Sequence, residues 1–175
     1  MKYTVIGDEL KHTHKYGSVY CIMAYDYLDA KNKSVFKIGM STIKLAKRVE
    51  QYHTYFPNGI TLVAVIENPT RILDGRTKAP KRKTHYEKIE ESIIGDIVKM
   101  GGFRINATTR VRKEGNTEWV YTDLNTIHKA FQKAHTTYGG DFTPYNLNDF
   151  NKEMNAAKKK KHFMGQYIFP LKKKA

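Results

Sequence analysis

VYCIMAYDYLDAKNKSVFKIGMSTIKLAKR, residues 19–48, is the stretch that decides the fold. Residues 19–25 are apolar at odd and even positions alike and are bounded by Gly17 and Asp26. A short run of that kind is a central strand covered on both sides. The polar segment 29–34 turns the chain. Residues 35–38 form a second strand closed by Gly39, and so short a connection makes the pair an antiparallel hairpin. Ser41 or Thr42 then caps a helix running to about Tyr55, with Leu45, Val49 and Tyr52 along one side. Arg48 and Tyr52 are four apart and project from neighbouring turns of one face.

Beyond Pro57, Asn58 and Gly59, residues 60–66 give a third strand. Residues 70–85 are basic and irregular. Thr84 and Glu87 have the spacing of a capping box, which starts a helix reaching Met100 and stopped by Gly101 and Gly102. Its apolar positions are Tyr86, Ile89, Ile93, Ile94, Ile97 and Met100. Residues 103–106 and 117–121 read as two more strands around a basic loop. Asp123 caps an amphipathic helix from Leu124 to about His135, with Ile127, Ala130 and Phe131 inward and Gly139 and Gly140 after it. Residues 141–175 show little apolar periodicity.

The expected fold class is α+β, a small, mainly antiparallel sheet flanked by helices, with a basic C-terminal extension. The division is an N-terminal arm at 1–17, a principal domain at 18–122, and a helical and basic extension at 123–175. A chain of 175 residues suits one such domain and is short for two.

Lys and Arg total 31 against 17 Asp and Glu, a formal charge of +14, and such a field attracts polyanions, with nucleic acid the first candidate. Cys21 is the single cysteine, which excludes an intrachain disulfide and a cysteine-rich zinc site and suits a reducing compartment. No apolar run approaches the length of a membrane span, and residues 1–17 carry charges where a signal peptide needs an apolar core. The expectation is a soluble intracellular protein, of cytoplasm or nucleus, with no membrane partner.

One acid sits out of place. Glu90 lies four residues after Tyr86 and three, four and seven before Ile93, Ile94 and Ile97, so the helix turns it toward the apolar face. A carboxylate aimed at a core costs several kcal/mol unless it is paired or solvated in a cleft. It is either a metal ligand in a site open to solvent, or an edge glutamate that swings to water or pairs with an arginine. Taken singly, Tyr20 reads as a core tyrosine, Lys37 as an edge-strand lysine and Arg48 as a solvated helix residue. Taken together with Glu90 they place a phenol, an ammonium, a guanidinium and a carboxylate around one cleft. Phosphodiester cleavage needs such a set: a base for water, positive charge for the phosphorane and a metal site. Trp119, in a strand pattern, reads as core.

These residues resemble the GIY-YIG nucleases. Ser18-Val19-Tyr20 stands for the first motif and Lys37-Ile38-Gly39 for the second. The motif arginine falls on Arg48 with Tyr52 one turn on, the helical glutamate on Glu90, and the closing asparagine on Asn106. Lys37 stands where many members have tyrosine, and Tyr52 where many have histidine; some restriction-enzyme members share both. The Lys-Ile-Gly form and Glu118-Trp119 also look like a phage and large-virus branch described as a DNA-binding module. The resemblance implies one divalent ion, Mg2+ or Mn2+, held by Glu90. It implies Tyr20 as general base, Arg48 on the phosphate, Lys37 beside the base and Tyr52 orienting base or water. His53 and Asn106 are supporting residues. The expected partner is duplex DNA, with Arg76, Lys78, Lys81, Arg82, Lys83, Arg110, Arg112 and Lys113 tracking its backbone. The leading expectation is a metal-dependent DNA endonuclease. A non-catalytic DNA-binding module of the same fold is the alternative, and an RNA-binding or nucleoprotein role is a third.

Overall fold

The computed structural model describes residues 17–24, 33–54, 60–69, 82–107 and 115–144. In chain order the elements are β1 (Ser18–Ala24), β2 (Lys33–Ser41), α1 (Leu45–Glu50) running into a 3-10 turn (Gln51–Thr54), β3 (Ile60–Glu67), α2 (Arg82–Lys99), β4 (Phe103–Ala107), β5 (Gly115–Asp123), α3 (Leu124–Tyr138) and β6 (Asp141–Pro144). The strands make one six-stranded sheet in the order β4-β5-β2-β1-β3-β6. Every adjacent pair is antiparallel. This is the α+β architecture expected from the sequence.

β1 is apolar on both faces because it lies inside the sheet with helices on either side. Val19, Cys21 and Met23 enter a large core with α2 and α3. Tyr20 and Ile22 enter a smaller one with Leu45, Val49 and Tyr52 from α1 and its 3-10 turn. β3 serves both cores by a bulge. Cys21 pairs with Ala64 but Ile22 with Leu62, so Val63 is the extra residue. Ile60 and Leu62 before it and Val65 after it all reach the small core, although strict alternation would put Val65 on the other side. The Val63 carbonyl is bonded instead by the His128 ring of α3, Nε2 to O at 3.0 Å. Burial pushes the His128 pKa down, with that hydrogen bond pulling the other way. A neutral ring with its proton on Nε2 donates to the carbonyl.

The stripe of α2 enters the large core at Tyr86, Ile89, Ile93, Ile94 and Ile97, as expected. Each fully buried isoleucine contributes about 1.5–3 kcal/mol relative to exposure. Met100 does not join them; it follows the helix and is exposed. The helix closes as Gly101, in the left-handed region, and Gly102 return their amides to the carbonyls of Val98 and Ile97. α3 sends Leu124, Ile127, Ala130, Phe131 and Ala134 into the same core. Asp123 caps it, accepting from the Thr126 amide at 2.8 Å. Although α3 lies past residue 122, its side chains and those of α2 share one core.

Other expectations are corrected. Gly39 does not close β2, which continues to Ser41. Neither Ser41 nor Thr42 caps α1. The helix begins at Leu45 behind Lys44, with no side-chain cap, and gives way to the 3-10 turn after Glu50. The Ser41 hydroxyl is engaged locally with the amide and carbonyl of Ile43. α2 starts at Arg82, so Thr84 and Glu87 fall inside the helix rather than at its start. β6 is a strand that the sequence pattern does not announce. No described helix is long and apolar enough to cross a membrane.

Candidate functional site

Tyr20 is held by its neighbours in the sheet. It pairs with Gly39 across the β1–β2 ladder, and a Cβ at Gly39 would lie 2.8 Å from its ring and hydroxyl. The glycine of the second motif is therefore the gap that lets the Tyr20 phenol lie across β2. At the far end of the ring, the hydroxyls of Tyr20 and Tyr52 share a hydrogen bond of 2.7 Å. Their rings meet edge to face, centroids 6.4 Å apart. Arg48 Nε donates to the same Tyr20 oxygen at 3.4 Å. Its guanidinium lies over the Tyr52 ring, 5.7 Å from the centroid, and its Nη1 donates to Gln51 Oε1 at 2.9 Å. The hydrogen bond to Tyr20 comes first among the causes that push the Arg48 pKa up. The Tyr52 pKa is pushed well up, first by burial, then by Tyr20; Arg48 opposes and Glu118 adds to it. Tyr52 thus keeps its proton, and Tyr20's oxygen accepts from Arg48 while sharing with Tyr52 a hydrogen bond in which either hydroxyl can donate.

The second group is built on β2, β5 and α2. Lys37 pairs across the ladder with Trp119. Its ammonium lies 5.8 Å from the indole centroid and forms an ion pair with Glu118. Glu90 is buried, 8% exposed, and its carboxyl has no hydrogen bond or ion pair among the described residues. Its pKa is pushed up to about 7, first by burial and next by the charge of Glu118, while Lys37 pulls it down. Glu118 bears on both Glu90 and Tyr52, and so joins the two groups electrostatically.

The structure thus brings Tyr20, Arg48 and Tyr52 into direct contact, and sets Lys37 and Glu90 around Glu118. Gln51 is an addition the sequence reading missed. Glu118 entered that reading only within the Glu118-Trp119 pair of the phage and large-virus resemblance, and not as a site residue. Trp119 is half-buried against the small core, as its strand pattern suggests. His53 lies in the 3-10 turn and Asn106 in β4, with side chains outside the described set. The same holds for Arg82 and Lys83 in the first turn of α2. Arg76, Lys78, Lys81, Arg110, Arg112 and Lys113 lie outside the described residues.

Glu90 has the chemistry of a ligand for a hard divalent cation, being a buried carboxyl whose ionisation is only partly offset by Lys37, itself paired with Glu118. Among the described residues no three His, Cys, Asp or Glu side chains come together. An ion at Glu90 would complete its shell with water and substrate oxygens, as magnesium commonly does.

Residues 17–135 match the family model of the T5orf172 domain. This is a phage-derived domain family related to GIY-YIG/HNH-like nucleases, and it points to a nuclease or DNA-binding role. No curated protein and no solved structure matches the chain.

Proposed function

Because this chain belongs to the T5orf172 domain family, we propose that it is a metal-dependent endonuclease hydrolysing phosphodiester bonds of duplex DNA, with chemistry of the GIY-YIG kind. The observation that carries the reading is Glu90, a buried acid with no described partner and a pKa near about 7. A fold keeps such a group against its own stability when the group has work to do.

Each side chain has a part. Tyr20, as phenolate, takes a proton from water as the water oxygen attacks phosphorus and the bond to the leaving oxygen breaks. Arg48 and Lys37 offset the negative charge that gathers on the phosphoryl oxygens, the guanidinium by a forked contact. Tyr52, protonated, fixes the Tyr20 oxygen. One Mg2+ or Mn2+ ion held by Glu90 would supply Lewis-acid stabilisation of the phosphate. The test is plasmid nicking with Mg2+ or Mn2+ between pH 6 and 9. Nicking by wild type and none by Glu90→Ala is expected; equal nicking by both, or none by wild type, overturns the proposal.

One observation favours a second reading, a DNA-binding module without cleavage. Tyr20 is 0% exposed, and its oxygen is engaged by Tyr52 and Arg48, so no water reaches it without a rearrangement. This reading expects a gel shift of duplex DNA, weakened by salt, with no nicking under any metal.

A further inference from the structure

The Lys37 and Glu118 side chains are unequally placed. Lys37 is 13% exposed and Glu118 48%. The ammonium lies over the ring of Trp119, its partner across the ladder, 5.8 Å from the centroid. Glu118 supplies its anionic contact. It is tied down by little else: its strand neighbours Trp119 and Val120 are the ones that pack inward, and an exposed carboxylate leaves an ion pair at small cost.

We propose that Glu118 occupies on Lys37 the position a nucleic-acid phosphate takes, so that binding exchanges one anion for another on a fixed ammonium. The inference rests on the site being one that receives a phosphodiester, and it holds whether or not the bond is cut. A carboxylate and a phosphate oxygen make the same kind of charge-assisted contact with an ammonium. The acid serves as a built-in competitor: it keeps a partly buried cation satisfied in the free protein and sets a threshold that weakly held anions do not pass. Glu118 acts here through Lys37 and is a positioning residue.

The experiment is a double-mutant cycle on the full chain with a short duplex oligonucleotide in EDTA, so that binding is read without cleavage. Glu118→Gln is expected to bind about threefold more tightly than wild type at low salt. Against a Lys37→Met background the same change is expected to give no gain, because the ammonium it frees is gone. Trp119, the chain's single tryptophan, supplies a second readout: oligonucleotide shifts its emission in wild type toward that of free Glu118→Gln. An equal gain in both backgrounds means that Glu118 acts only by general repulsion and overturns the proposal. So does a loss of affinity in Glu118→Gln. No binding by any of the four proteins defeats the phosphodiester-site reading itself, whereas binding without nicking in Mg2+ defeats only hydrolysis.

Discussion

Helix α2 carries two buried acids six residues apart, each 8% exposed, and its two halves treat them differently. In the C-terminal half Asp96 accepts from Lys133 of α3 at 2.7 Å. In the N-terminal half Glu90 has no hydrogen-bond or ion-pair partner among the described residues, and after burial the strongest influences on it are the opposed charges of Glu118 and Lys37. Burial is the same, so burial is not what separates them. Where two helices pack for stability, the buried charge is neutralised by a neighbour. Where α2 meets β2 and β5, the neighbour that could neutralise it is itself claimed by Glu118.

Breaking each end of the helix separately sharpens this contrast. The largest effect is on activity: Glu90→Ala is expected to lower DNA nicking by more than about a hundredfold, with an unchanged circular dichroism spectrum. Asp96→Asn should keep wild-type nicking in the same assay. Next in size is Gly39→Ala, whose new methyl meets the Tyr20 ring. It should cost about 1–3 kcal/mol in urea unfolding and displace Tyr20 from Tyr52, so that nicking falls as well.

At the paired end, Lys133→Met leaves Asp96 buried without its cation. Because Lys133 is 63% exposed, solvent screens the pair, and a loss of about 1–2 kcal/mol is expected in urea unfolding.

The smallest effect has the opposite sign. Folded Glu90 holds its proton up to about 7, whereas an unfolded glutamate releases it near about 4.3. Wild-type stability therefore falls as pH rises through that interval. Glu90→Gln should be more stable than wild type by about 1 kcal/mol at pH 8, a gain that vanishes near about pH 4. Thermal melts at the two pH values check this, and added Mg2+ should raise the wild-type Tm at pH 8 without raising that of Glu90→Gln.

Glu90 could be picked out in the sequence because a helix repeats locally: four residues from Tyr86 and three from Ile93 are enough to aim a side chain. The same locality made β1, the α2 stripe and the Asp123 cap legible. Arg48 and Tyr52, four apart, were legible as a pair on those grounds, and Tyr20 through its motif. What stayed hidden depends on contacts between distant residues. The partner of Lys37 lies 81 positions away, and nothing in the spacing of Glu118 announces it. Gly39 read as a strand end because glycine commonly punctuates strands; its use as clearance for a phenol appears only once β1 lies beside it. β6 is short and mostly exposed, and owes its extended form to pairing with β3 rather than to its own pattern.

The bulge in β3 sets where the gene for this chain can lose a codon. Up to Leu62 and from Ala64 onward, opposite parities of residue number point to the same face. Deletion of Val63 would straighten the ladder and leave every later side chain on its present face, because Ala64 would then follow Leu62 in the register that Cys21 and Ile22 already set. Val65 would stay in the small core and Ile66 in the large one, and the loss would fall on His128, which now bonds the Val63 carbonyl. A codon lost from the regular β1–β2 ladder has no such slack, and there the later side chains would change face. In β3 the extra residue is a spare letter: the alternation of inside and outside survives its loss.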